Sequence, residues 1–274
     1  MPLSLFAPID RWLAPAPDPG KVAWIGDHTF AHRGLHGPDA NGIGVPENSP
    51  GAFAAAIFGH YGVECDIQRS ADGQAMVFHD WELDRLTGES GAVARRSATE
   101  LGAIALTGSE DRIPTLRQLL DQIAGRVPLL IEIKSRRGMR VGPICLAVHQ
   151  VLEGYRGSHA VMSFDPRVSR WFAAHSPATV RGLVVTEEND KGPLGRIRRQ
   201  LALWQAKPDF LAYDIRDLPS RFAAGQRGRG LPVASWTVRS AELRDRAALH
   251  ADAPIAEGAG IAEGTGIAEG TGIA

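Results

Sequence analysis

The chain has 274 residues, a formal net charge of −1 and a hydrophobic content of 44%, which is ordinary for a globular protein. This length allows one large α/β domain or two small ones. The balanced charge excludes a basic surface that would recruit nucleic acid or an acidic membrane. Cys65 and Cys145 lack the spacing of a metal site or a disulfide framework. With no convincing signal peptide and no spanning run, we expect a cytoplasmic protein without stable membrane insertion.

The N-terminal residues 1–26 are rich in proline and are predicted to form an extended arm. Within the arm, LSLFAPIDRWL (3–13) could either touch a membrane surface or pack against the domain that follows. We expect packing against the domain.

Nine short apolar runs follow the arm, and helical patterns separate most of them. The predicted strands are 28–33, 63–68, 74–80, 127–134, 159–165, 180–186, 209–215, 233–238 and, more weakly, 252–258. The clearest helical patterns are 47–62, 113–125, 139–155 and 166–176. Such alternation builds either an open doubly wound sheet or an eight-stranded barrel. Polar residues at the carboxyl ends of several strands, and the lack of G-x-G-x-x-G, favour an α/β fold of the TIM (β/α)8 barrel type.

The run VECDIQRSADGQAMVFHD (63–80) is predicted to form a β-hairpin. Because strand side chains alternate, Glu64 and Asp66 share one face, and the other face is apolar. Asp72-Gly73 is typical of a two-residue turn. Counting across that turn sets Asp66 directly opposite His79, about 5 Å away between Cβ atoms. A surface edge strand with salt-bridged acids is the alternative, but the apolar opposite face favours a buried strand.

Carboxylates recur near the ends of the buried strands. Two acids on one face repel each other, so a cation is expected beside Glu64 and Asp66. In IEIK, Glu132 and Lys134 share a face and could form a plain internal ion pair. Beside the first two acids, however, Glu132 completes an all-oxygen set, which suits Mg²⁺ or Ca²⁺ better than zinc.

The first strand ends in AHRG, where Gly34 frees the backbone so that His32 and Arg33 can both turn inward. Arg33 is suited to a phosphate, whereas a lone histidine such as His32 is ordinarily structural. His36 follows four residues after His32, but its loop setting argues against a helical metal-binding pair. Carboxylates around a metal, two histidines, an arginine and a lysine together indicate phosphodiester chemistry, with His32 and His79 as general acid and base.

The last 18 residues, EGAGIAEGTGIAEGTGIA, repeat a hexapeptide. The copies are too few for a stacked β-helix, so residues 259–274 are predicted to be a flexible Gly-rich tail. The predicted domain therefore spans residues 27–258.

The chain resembles the glycerophosphodiester phosphodiesterases of the phosphatidylinositol phospholipase C-like phosphodiesterase superfamily. The matching motifs occur in family order: AHRG, PENS, VECD, DGQAMVFHD with LDRLTG, IPTL, IEIK, SF and SWTV. The resemblance implies a TIM barrel with one divalent cation. It also implies hydrolysis of glycerophosphodiesters, such as glycerophosphocholine or glycerophosphoethanolamine, to glycerol 3-phosphate and an alcohol.

Each site residue takes an implied role from its motif position. The resemblance assigns acid–base catalysis to His32 and His79, metal binding to Glu64, Asp66 and Glu132, phosphate binding to Arg33 and Lys134, a lining position to Glu47, and an apolar wall to Trp236. The family's usual route begins with attack of the glycerol 2-hydroxyl on phosphorus. Hydrolysis of the resulting cyclic intermediate follows.

The chain departs from the family pattern at three places. Ser49 and Trp81 stand where members often have Thr and Pro, and DAPIAEG lacks the usual Thr-Asp-x-Pro. These departures put the fit of the substrate in doubt but remove no catalytic residue type. Two other functions stay open: a lysophospholipase D/C-like phosphodiesterase acting on lysophospholipids, and a non-catalytic barrel that binds phosphodiesters. Both retained histidines argue against the second, and the oligomeric state is left open.

Overall fold

A computed structural model describes residues 6–38, 44–188 and 190–261. The strands are β1 (Phe30–Ala31), β2 (Gly37–Pro38), β3 (Gly44–Val45), β4 (Gly62–Arg69), β5 (Ala75–Val77), β6 (Leu129–Ile133), β7 (His159–Ser163), β8 (Val180–Val185), β9 (Phe210–Asp214), β10 (Val233–Val238) and β11 (Ala253–Ala256). The helices are α1 (Ala7–Leu13), α2 (Pro19–Val22), α3 (Pro50–Phe58), α4 (Ala98–Ala103), α5 (Leu116–Ile123), α6 (Gly142–Leu152), α7 (Pro166–His175), α8 (Pro193–Ala206), α9 (Arg221–Arg227) and α10 (Ala241–His250).

Eight parallel strands close into a barrel, in the order β1, β4, β6, β7, β8, β9, β10 and β11. The weakest of the predicted strands, β11, closes it, because Phe30 pairs with Ile255 and Ala31 with Ala256. The ninth strand, β5, returns antiparallel to β4 and lies outside this ring. The prediction of a TIM barrel with an added hairpin arm is therefore confirmed.

The predicted register of that hairpin is wrong by one residue. Ile67 pairs with Val77 and Gln68 with Met76. The loop has three residues rather than two, because the N–H of Ser70 donates to the carbonyl of Gln74 at 3.0 Å. Asp66 consequently faces Phe78, whose N–H donates to the Asp66 carbonyl at 3.0 Å, and not His79.

The barrel interior explains where polar chemistry can lie. One apolar cluster takes side chains from seven of the eight barrel strands, among them Phe30, Leu130 and Phe210. The strand that contributes none is β4, whose alternate residues Glu64 and Asp66 are buried. The other face of β4 is apolar, as predicted, and Cys65 and Ile67 pack in the shell of helices around the barrel.

The N-terminal segment is not an extended arm. It contains α1 and α2, and α1 packs against α8 as the packing alternative expects. Asp10 of α1 is fully buried, and its carboxylate accepts hydrogen bonds from Trp204 Nε1 at 2.7 Å, Gln226 Nε2 at 3.1 Å and the amide of Gln200. Among the described residues, no helix combines the length and apolar character needed to cross a bilayer.

The beginning of the predicted tail is part of the folded chain. Gly260 is buried, and Ile261 packs against the apolar cluster beneath α8, α9 and α10. A side chain at Gly260 would meet the backbone of Val238, so only glycine fits there. The remainder of the predicted tail, residues 262–274, lies outside the described residues.

Candidate active site

The three predicted metal ligands come together at the carboxyl end of the barrel. Glu64 and Asp66 belong to β4, and Glu132 belongs to the neighbouring β6, where it pairs in register with Asp66. Oxygen atoms of the three carboxylates lie within 4.8 Å of one another. All three side chains are buried, so they form a cluster of negative charge inside the protein.

Two cations balance part of this charge. Lys134 Nζ lies 2.7 Å from Asp66 Oδ1 and 2.7 Å from Glu132 Oε1, and Arg33 Nε lies 3.2 Å from Asp66 Oδ2. Burial by itself raises the pKa of Asp66, but the nearby Lys134 and Arg33 outweigh it and hold that pKa well below its usual range. Asp66 is therefore a stable carboxylate.

Glu64 is left with excess negative charge around it. Burial first, and then repulsion from Asp66 and Glu132, raises the pKa of Glu64 well above its ordinary value. The backbone N–H of Arg33 donates to Glu64 Oε2 at 3.0 Å, and this hydrogen bond offsets only a part of the rise in pKa. An all-oxygen set whose third carboxylate is only partly balanced by Arg33 fits a hard divalent cation. The acidic cluster could therefore hold one metal ion.

His32 follows β1 and is oriented by the strand that closes the barrel. The backbone N–H of His32 donates to the carbonyl of Ala256 at 2.9 Å, and the ring Nδ1 lies 2.5 Å from Glu257 Oε2. Its Nε2 faces the acidic cluster, 4.0 Å from Glu64 Oε2. Burial, partly opposed by Glu257, lowers the pKa of His32 and so favours the neutral imidazole.

Glu257 is a site residue that sequence reasoning did not find. It directly follows β11, and its other oxygen, Oε1, lies 2.5 Å from Arg239 Nε. The sequence did contain a signal for Glu257, which is an acid at the carboxyl end of the last predicted strand. In a closed barrel that strand lies beside the first one, so its final acid comes close to His32.

His79 reaches the site by a different route from the predicted one. Regular pairing of β5 ends at Val77, so the pleat no longer sets the direction of the His79 side chain. Its Nδ1 lies 2.7 Å from Asp80 Oδ1, and Asp80 in turn pairs with Arg85 Nε at 2.5 Å. His79 therefore enters the site oriented by its own neighbour in the chain.

Glu47 lies beside the cations and not within the cluster of three acids. Its Oε1 accepts hydrogen bonds from Arg33 Nη1 at 2.8 Å and from Arg85 Nη2 at 2.7 Å. The next residue, Asn48, was missed: its Nδ2 donates to Asp66 Oδ2 at 2.9 Å, and its Oδ1 accepts from the Asp66 N–H at 3.2 Å. Arg33 and Asn48 both have positive φ, at 57° and 55°, a strained backbone that often marks functional sites.

Two cavities meet at His79 and Lys134. One of about 350 Å³ has both predicted catalytic histidines, two of the acids and both predicted phosphate-binding cations in its wall: His32, His79, Glu64, Glu132, Arg33 and Lys134. Trp236 also lines it, with its ring edge-on to Phe164 at 5.4 Å between centroids. The second cavity, of about 490 Å³, is lined by His79, Lys134 and Trp81 among others. A ligand beside His79 therefore has room in both cavities.

The chain is similar in sequence to known glycerophosphodiester phosphodiesterases. The model of the glycerophosphoryl diester phosphodiesterase family matches residues 32–256. YhdW of Bacillus subtilis is 30% identical over 224 residues, which are 78% of this chain and 86% of that protein. "Probable glycerophosphodiester phosphodiesterase 2" of Mycobacterium tuberculosis is 30% identical over 260 residues, 84% of this chain and 91% of that one.

A solved structure extends the similarity to the fold. A phosphodiesterase of Oleispira antarctica, in complex with the product sn-glycerol-3-phosphate, superposes with a TM-score of 0.71 at 22% identity. The match covers 84% of this chain and 92% of that one. With the family match over most of the barrel, the chain belongs to the glycerophosphoryl diester phosphodiesterase family and is an enzyme of that class.

Proposed function

We propose that the chain catalyses metal-dependent hydrolysis of glycerophosphodiesters to glycerol 3-phosphate and an alcohol, with glycerophosphocholine and glycerophosphoethanolamine as candidate substrates. One observation carries the proposal: His32 and His79 line a single cavity with carboxylates and with Arg33 and Lys134. A phosphodiester requires this combination, because its charge must be neutralised while protons are exchanged at two of its oxygens.

The cation is one Mg²⁺ or Ca²⁺, held by Glu64, Asp66 and Glu132. Both ions prefer oxygen ligands, and a cation would offset the burial and the repulsion from Asp66 and Glu132 that raise the pKa of Glu64. When bound, the ion supplies positive charge that stabilises the negative charge developing on the phosphate.

His32 acts as the general base. Its Nδ1–H donates to Glu257, which leaves the lone pair on Nε2 free to accept a proton from the attacking hydroxyl. The lowered pKa supports this role, since it favours the neutral imidazole that a base requires. Glu257 carries the negative charge that stabilises the imidazolium once His32 has taken the proton.

His79 acts as the general acid. It borders both cavities, so it stands where the leaving alcohol would pass from one to the other. Asp80, at 2.7 Å, accepts the Nδ1–H and stabilises the protonated ring until Nε2 gives its proton to the leaving oxygen. In this first step His32 gains one proton and His79 loses one. Attack of water on the cyclic intermediate then reverses both transfers, because His79 takes a proton from the water and His32 gives its proton to the 2-oxygen as the ring opens.

Arg33 and Lys134 bind the phosphate, and Trp236 forms an apolar wall beside it. Both cations lie against buried carboxylates, which hold them charged and in place. Glu47 orients Arg33 through the hydrogen bond at 2.8 Å. The cytoplasmic location and the lack of a nucleic-acid partner remain predictions from composition.

A coupled assay for glycerol 3-phosphate tests the proposal. Chelated protein is given glycerophosphocholine, glycerophosphoethanolamine, glycerophosphoglycerol or lysophosphatidylcholine, with and without added Mg²⁺ or Ca²⁺. Hydrolysis of lysophosphatidylcholine releases no glycerol 3-phosphate, so its turnover is followed by the release of choline or phosphocholine. Glycerol 3-phosphate should appear from the glycerophosphodiesters only when metal is present. His32→Ala and His79→Ala should each lower kcat by about 10²–10⁴-fold. No turnover of any glycerophosphodiester would overturn the proposal, and a strong preference for lysophosphatidylcholine would favour the lysophospholipid alternative.

A further inference from the structure

His36 has a neighbour that its loop position in the sequence did not suggest. The loop after β1 brings His36 Nε2 to 3.5 Å from Glu257 Oε2, the oxygen that also contacts His32 Nδ1 at 2.5 Å. One ligand atom from each of His32, His36 and Glu257 lies within 4.8 Å of the other two. A helix is therefore not needed to pair the two histidines, because the carboxylate at the end of β11 joins them.

The chemistry of this trio differs from that of the acidic cluster. Two imidazole nitrogens and one carboxylate oxygen are the ligands of many zinc sites, in which a fourth position stays open to water. Ligand bonds of about 2.0–2.2 Å in a tetrahedron set the ligand atoms about 3.3–3.6 Å apart. The separation of 3.5 Å between His36 and Glu257 already lies in that range. The shorter contact of His32 with Glu257 would lengthen by rotation of the Glu257 side chain.

His36 Nε2 has no other use within the described part of the chain. The atom is buried from solvent and makes no hydrogen bond there. At 3.5 Å, Glu257 Oε2 satisfies this buried nitrogen only weakly, and a metal ion would supply a stronger interaction. The side chains of His36 and Glu257 remain 20% and 18% exposed, so an ion can enter from solvent.

We propose that His32, His36 and Glu257 form a zinc site that inhibits the enzyme. Zinc would take the lone pair of His32 Nδ1, which moves the ring proton to Nε2. Nε2 is then a donor and cannot accept a proton from the attacking hydroxyl. Inhibition rests on the proposed role of His32 as the base, whereas zinc binding itself does not.

The test measures binding and inhibition separately, in excess Mg²⁺ so that the acidic cluster is filled. Equilibrium dialysis should find one Zn²⁺ per wild-type chain, and Co²⁺ should give the visible absorption of a four-coordinate nitrogen and oxygen site. In His36→Gln the bound zinc and the cobalt spectrum should be lost, and the zinc concentration for half inhibition should rise at least about tenfold. His250→Gln is the matched control and should behave as wild type.

Each contrary result is informative. No zinc on the wild type would overturn the site, and equal zinc inhibition of His36→Gln and the wild type would place the inhibitory ion in the acidic cluster instead. Binding without inhibition would overturn the regulatory role. If no glycerophosphodiester is hydrolysed at all, the proposed function fails, and the dialysis and cobalt measurements still decide whether the zinc site exists.

Discussion

Oε2 of Glu257 lies 2.5 Å from Nδ1 of His32. The contact joins residues at the two ends of the barrel sequence, and it forms because β11 pairs with β1. The last strand thus closes the sheet, and the residue that follows it, Glu257, is placed against His32 Nδ1.

Loss of the Glu257 carboxylate should lower kcat more than it changes KM. We expect Glu257→Ala to reduce kcat by about 10–100-fold, because His32 loses the partner that orients it and stabilises its protonated form. Glu257→Asp should recover part of the activity. Steady-state kinetics check this, with Glu242→Ala as the matched control, since Glu242 is exposed in the first turn of α10. An effect of Glu257→Ala confined to KM would instead indicate a substrate-binding role.

Removal of the metal should abolish turnover without unfolding the chain. Exhaustive chelation is expected to lower kcat by at least about a hundredfold, since the ion supplies several kcal/mol of charge stabilisation. Added Mg²⁺ or Ca²⁺ should restore the rate, and Glu132→Gln should weaken that restoration. Circular dichroism before and after chelation separates lost activity from lost structure. Full turnover in the chelated enzyme would contradict the metal assignment.

The N-terminal segment should contribute to stability through Asp10. Replacement by alanine leaves the buried donors of Gln200, Trp204 and Gln226 without their acceptor, so we expect Asp10→Ala to lower the free energy of unfolding by about 3 kcal/mol. Urea denaturation measures this. Asp18→Ala is the control, because Asp18 caps only the short α2 at the surface and should cost about 1 kcal/mol or less. Wild-type stability in Asp10→Ala would show that the segment does not support the barrel.

Both cysteines should be inert in the folded protein. Burial raises the pKa of Cys145 to about 12 and raises the pKa of Cys65 well above its ordinary value. Since only the thiolate reacts, neither should be labelled by a thiol reagent at pH 8 until urea is added. The unfolded chain loses these protons at lower pH than the folded chain, so stability should fall as pH rises from about 9 toward 12. Rapid labelling of the native protein at pH 8 would contradict this.

The hairpin shows how far local sequence information reaches. Alternation in VECDIQ was enough to predict that Glu64 and Asp66 share a face, because the side-chain period of a strand is two. Asp72-Gly73 indicated a turn but not the loop length, which depends on Ser70 bonding to Gln74. A difference of one residue was enough to move Phe78 into the position expected for His79.

The sequence by itself determined the class of fold, the order of the strands and the residues of the acidic cluster. These follow from local periodicity and from residue type, and each can be read within a few positions of the chain. Only the tertiary structure decided that Glu257 contacts His32, that Asn48 supports Asp66, and that His36 lies beside Glu257 and His32. Such contacts arise where the barrel closes and its loops converge, because closure brings together residues that are far apart in sequence. No local sequence pattern predicts a contact between residues with that separation.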